Sequence, residues 1–223
     1  MNINSKSAIT LSKSLIGNRT LIKLNLSGNI IGSEAAPAFA DLLKSTDSAL
    51  LQLHLGCNNL GSKGGTIIGF ALKENKVLQG IDLRHNNIGP TAAAIIAEAL
   101  QINTSLKDVY LEWNAIRDEG SQAFEQTLEV NLSMRFLTLP KWSPSIHKRL
   151  KQNRRVQDLF IQATNIAPKL LPEVLGKADR ITMFHFCFQT RLDLVVSGLQ
   201  SRSYVRRQRR LEGRDSGRKG MCK

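Results

Sequence analysis

Cysteine is scarce in this chain, and long apolar runs are missing. The three cysteines, Cys57, Cys187 and Cys222, are scattered and form no CxxC pair. An odd, dispersed set builds no disulfide framework and fits a reducing compartment. No stretch approaches the ~18 consecutive apolar residues of a membrane-spanning helix, so no membrane association is expected. The opening MNINSKSAIT lacks a basic region followed by a long apolar one, and a secretory signal is not expected. The location these absences point to is cytoplasmic, with the nucleus left open. Metal ligands in regular spacing are lacking too, and no glycine-rich phosphate loop stands out. The reading therefore contains no cofactor and no metal.

Acidic residues run short towards the C-terminus. Residues 1–150 hold 15 Lys/Arg against 12 Asp/Glu, whereas residues 151–223 hold 16 against 6. The two parts of the chain are thus expected to do different things.

What the sequence has in abundance is one phrase. LIKLNLSGNIIG starts at Leu21, LLQLHLGCNNLG at Leu50, LQGIDLRHNNIG at Leu78 and LKDVYLEWNAIR at Leu106. A fading copy, MRFLTLPKWSPS, starts at Met134. The spacings are 29, 28, 28 and 28 residues, a period typical of a solenoid. Leu24 and Leu26, Leu53 and Leu55, Ile81 and Leu83, and Val109 and Leu111 alternate with the period of a strand. Behind them, Phe39, Ile68, Ile96 and Phe124 share one position. Leu43, Leu72, Leu100 and Leu128 lie four residues on, along one helix face. Ala36, Gly65, Ala93 and Ser121 precede them and are expected to let each helix approach the sheet. Gly61, Gly64 and Gly65 in LGSKGG fall at the turn into such a helix.

This pattern resembles the leucine-rich repeat family, specifically its ribonuclease-inhibitor-like subtype, over residues 8–153. The resemblance implies an α/β fold: a right-handed solenoid, or horseshoe, with a parallel concave sheet and convex helices. Asn29, Asn58, Asn86 and Asn114 all follow the strand, where the backbone leaves the sheet. An amide both donates and accepts, so it can satisfy backbone groups whose burial unpaired is costly. The resemblance implies a structural asparagine ladder there. Asn18, Asn75, Asn103 and Asn131 recur where the helix ends, and are read as left-handed helix caps. Asn18, Asn25, Asn103 and Asn131 also match the glycosylation acceptor pattern, but none is read as glycosylated.

The organisation expected is a repeat domain over 1–163, a small capping appendage over 164–200 and a basic disordered tail over 201–223. Residues 8–20 look like the helical half of a preceding repeat, and that edge is left with no evident cap. At the other end Trp142 replaces the asparagine and is expected to cover the last apolar layer. Pro140 and Pro144 interrupt the repeat, and a helix is expected from Ser145 to about Ile161.

Outward strand residues form columns across the concave face. One column is Asn25, His54, Asp82, Tyr110 and Thr138. The next is Ser27, Gly56, Arg84, Glu112 and Pro140, and then Gly28, Cys57, His85, Trp113 and Lys141. Arg84, His85, Tyr110, Glu112 and Trp113 are candidate partner-binding anchors, since grouped aromatic and arginine side chains make binding hot spots. His54 beside Asp82 and Cys57 beside His85 form catalytic pairs on paper. Nothing orients them, and an open face does not exclude water. In the tail, Arg206, Arg207, Arg209 and Arg210 in VRRQRR could serve nuclear import or contact nucleic acid. Aromatic interleaving beyond Tyr204 is missing, which weakens a stacking mode. The leading reading is a non-enzymatic module binding a protein partner on the concave face. The alternatives are a GTPase-activating regulator, since the Ran GTPase-activating protein shares the repeat subtype, and a nuclear or RNA-associated protein acting through its tail. The partner's identity and the oligomeric state are left open.

Overall fold

The computed structural model describes residues 2–141 and 143–165. Met1–Asp158 form one compact unit and Leu159–Lys223 a second, of which only the backbone of 159–165 is described. The expected appendage and tail, Trp142 and the arginines of VRRQRR lie outside the described residues.

Strand and helix alternate as the repeat dictates. The order is α1 (Ser5–Ser14), β1 (Lys23–Asn25), α2 (Ala36–Lys44), β2 (Gln52–His54), α3 (Gly61–Glu74) and β3 (Gly80–Asp82). Then follow α4 (Pro90–Ile102), β4 (Asp108–Tyr110), α5 (Arg117–Val130), β5 (Phe136–Thr138) and α6 (Pro144–Asn165). The five strands pair in parallel and in chain order. Leu24, Leu53, Ile81, Val109 and Leu137 share one row, so each step across the sheet is one repeat. The first column read from the sequence is therefore a row of true neighbours in the sheet, and the other two lie just beyond the strand ends.

The core lies between the sheet and the helices. Phe39, Ile68, Ile96, Phe124 and the four leucines four residues on are all buried. Each such side chain contributes about 1.5–3 kcal/mol. The small residues serve a different contact from the one expected. A Cβ at Gly65 would meet Ile88 at 3.2 Å and Ala92 at 3.3 Å, both in the next repeat. They admit the neighbouring repeat rather than the sheet. Ser121 is only half-buried. The fully packed column lies one residue earlier, at Ala35, Gly64, Ala92 and Gly120, where a Cβ on Gly120 would come within 3.0 Å of Ala93 Cβ.

The two ends are closed differently. The N-terminal half-repeat begins earlier than the helical pattern showed: Ile3 N–H donates to Asn29 Oδ1 (2.9 Å), and Ile30 N–H to Ile3 O (3.1 Å). Ile22 and Ile30 stay 57% and 66% exposed there, so the half-repeat covers this edge only in part. At the other end α6 is longer than expected and begins at Pro144. Proline does not interrupt the structure but opens the helix, where its missing N–H costs nothing. Ser143 Oγ accepts the Ile146 N–H (3.3 Å). Ile146, Leu150 and Val156 are buried at this end. No described helix is long and apolar enough to cross a membrane.

Candidate binding face

Two rows of asparagines fix the backbone that carries the exposed face. In the first, Asn86 Oδ1 accepts from Asn58 N–H (3.2 Å) and Leu60 N–H (3.1 Å) of the preceding repeat. Its Nδ2 donates to the carbonyls of Leu55, Leu83 and Arg84. Asn114 does the same one repeat on, accepting from Asn86 and Ile88. Asn58 donates to Leu26, Leu55 and Gly56, but its Oδ1 has no partner among the described residues. Asn29 closes the row by receiving Ile3.

The second row overturns the left-handed cap reading. Asn75 has φ −67° and ψ 134°, Asn103 φ −74° and ψ 116°, and Asn131 φ −84° and ψ 111°. These are extended residues. Their side chains form a second ladder instead. Asn103 Oδ1 accepts from Ser105 N–H and Leu106 N–H, both at 2.9 Å. Its Nδ2 donates back to Leu72 O (2.6 Å) and Asn75 O (3.0 Å). Asn131 and then Asn153 of α6 continue the row. Asn103 and Asn131 are buried, which closes them to glycosylation in the folded chain. One repeat lacks its asparagine: the extra residue of the 29-residue step lies there, and Ser48 Oγ accepts a single N–H, from Leu50 (3.2 Å).

After each of the first four strands the chain turns through a left-handed residue before the first-row asparagine. Glycine holds this place at Gly28, with φ 71°. Cys57, His85 and Trp113 hold it at 55°, 52° and 60°, at a cost of about 1–2 kcal/mol each. The strained backbone delivers two rings to the surface. His85 and Trp113 stack with centroids 5.2 Å apart and planes 8° from parallel. Trp113 is 71% exposed.

Beside this stack, Asp82 organises the centre of the face. It is buried and holds Arg84 twice, Nε to Oδ1 (3.0 Å) and Nη2 to Oδ2 (2.7 Å). The clamp sets the Arg84 guanidinium 5.6 Å from the Tyr110 ring centroid, a cation–π distance. Gly56 leaves room for the carboxylate, since a Cβ there would stand 3.2 Å from Oδ1. Burial pushes the Asp82 carboxyl upward, but the hydrogen bonds and charge of Arg84 outweigh it and hold it below the ordinary 3.8. The same hydrogen bond raises Arg84. Burial, with Lys23, lowers His54, whose Nδ1 lies 3.8 Å from Asp82 Oδ2. Burial raises the Tyr110 hydroxyl, and Asp108 adds to it.

Four of the five candidates thus form two exposed or half-exposed pairs, Arg84 with Tyr110 and His85 with Trp113. Glu112 stands apart. Its Oε2 is buried and unpartnered among the described residues, and it lines a cavity at the end of the sheet. Asp82 itself was read only as a neighbour of His54. Its place two residues before Arg84, on the same strand face, is the signal for the clamp. Phe136, 41% exposed, extends the face with Arg154 5.1 Å from its ring centroid.

Three segments, residues 17–40, 48–68 and 103–124, match the family model described as Leucine Rich repeat. No curated protein sequence matches the chain significantly. Among solved structures, leiomodin-1 actin-binding site 2 is similar with TM-score 0.61 at 16% identity, covering 71% of this chain and 96% of that one. The Caenorhabditis elegans tropomodulin C-terminal domain gives 0.60 at 12% identity, covering 71% and 98%. Identities this low speak for the fold alone. Period, sheet register and matched segments agree on the fold: an α/β solenoid of the leucine-rich repeat type.

Proposed function

We propose that the chain is a non-enzymatic interaction module that binds a protein partner across the exposed face of its sheet. The observation that carries this reading is the His85–Trp113 stack, large and exposed on a backbone that resists placing such residues there. Strain of this kind collects at functional sites, and tryptophan, tyrosine and arginine dominate binding hot spots. Arg84 and Tyr110 extend the patch. Against catalysis stands the engagement of the one carboxylate near His54: Asp82 is already clamped by Arg84. The 28-residue period with a full helix in most repeats favours the ribonuclease-inhibitor-like subtype. The scattered cysteines favour the cytoplasm or nucleus. No described residue favours a GTPase-regulating role.

The test is a crosslinked pull-down from native lysate, with purified actin as the first defined partner because leiomodin-1 carries an actin-binding site on a similar fold. Wild type is compared with an Arg84→Ala, Tyr110→Ala, Trp113→Ala triple variant that has been checked for folding. A protein recovered only by the wild type supports the face. Equal recovery by both removes it.

A further inference from the structure

The last strand and the start of the last helix line a half-open cavity of about 330 Å³, at the small end of the range for ligand sites. Its walls are of two kinds. Leu139 and Ile146 give it apolar sides, and Glu112 and Thr138 are polar residues of its wall. Glu112 Oε2 and Thr138 Oγ1 are both buried with no hydrogen-bond partner among the described residues. Orphan polar atoms of this sort are costly, and a donor brought into the cavity, met by a small turn of the carboxylate, removes the deficit. Lys141 and His147 also line it, but Lys141 Nζ is held outward by Asp118 at 2.9 Å.

We propose that this cavity is a specificity pocket for one arginine side chain of the bound partner. The proposal rests on the protein-binding reading, because the pocket adjoins the same face through β4 and β5. A guanidinium offers two parallel donors to a carboxylate and keeps others for a hydroxyl. Its methylene stem suits the leucine and isoleucine walls. A lysine ammonium lacks the fork and fits the paired acceptors less well.

The experiment needs no partner, so its failure is separable from that of the pull-down. Backbone amide spectra of the full chain are titrated with n-butylguanidinium, n-butylammonium and the neutral n-butylurea. The expected result is saturable shifts at Glu112 and Thr138 with n-butylguanidinium, and binding of n-butylurea weaker by about tenfold or more. Glu112→Gln loses about tenfold in affinity, and Thr138→Val loses a few-fold. Equal binding of n-butylurea overturns the pocket, as does undiminished binding by Glu112→Gln. So does the absence of shifts at these residues up to tens of millimolar. Binding that appears only in Trp142→Ala would make the cavity the seat of the chain's own indole and overturn the proposal equally.

Discussion

The two asparagine rows use one residue type for opposite geometries. In the first row the amide follows a left-handed residue, and its Oδ1 receives N–H groups of the preceding repeat. In the second it sits on extended backbone at the end of a helix, and its Oδ1 receives N–H groups of its own repeat. The first row ties strand-to-helix turns across repeats. The second closes the helix-to-strand turn and then reaches back through Nδ2. What asparagine offers is neither a cap nor a turn preference but two donors and an acceptor on a short stem. The fold uses whichever groups a turn leaves bare.

The comparison can be broken at single rungs. Asn86→Ala strips five hydrogen bonds from buried backbone and is expected to cost the most, about 4 kcal/mol in urea unfolding. Asn103→Ala should cost about 3 kcal/mol. An effect near zero would show that water replaces the second row and that only the first is structural. Asn58→Ala sharpens the contrast within the first row. The Oδ1 of that amide receives no donor among the described residues, so about 2 kcal/mol is expected, and a loss equal to that of Asn86 would refute the role given to the Oδ1 bonds.

The smallest effect concerns the face between the rows. Asp82 has a folded-state carboxyl below its ordinary value. The stability it contributes is therefore complete above that value and is lost as pH falls through the folded one. Asp82→Asn should remove this acid-side loss and cost about 1 kcal/mol at neutral pH. An unchanged acid limb in the pH profile of unfolding would show that the Arg84 clamp is not energetically coupled.

Much of the fold was legible because repetition turns one ambiguous signal into four concordant ones. The sheet register follows from the 28-residue spacing alone, since Leu53, Ile81 and Val109 must share a row. Other features were hidden because they depend on which surface a residue meets. Gly65 looks the same whether it faces the sheet or the next helix, and only Ile88 and Ala92 decide. The second row was misread because asparagine at a helix end has a common local explanation, and the nonlocal one needs the neighbouring repeat in place. Arg84 was legible as an exposed anchor, but not as the partner of Asp82. Glu112 was grouped with the anchors through its column neighbour Arg84, whereas the packing of β5 and α6 makes it line a cavity.

Both rows reach towards what was made earlier. Asn86 serves the backbone of the repeat before it, Asn103 reaches back to Leu72, and Asn153 reaches back to Asn131 and Met134. During synthesis the repeat most recently released from the ribosome is always the one whose polar groups are unfinished. It stays so until the next copy of the motif emerges. Among the described residues α6 supplies the last bonds of the second row, and that row is finished only once Asn153 and Gln157 have emerged.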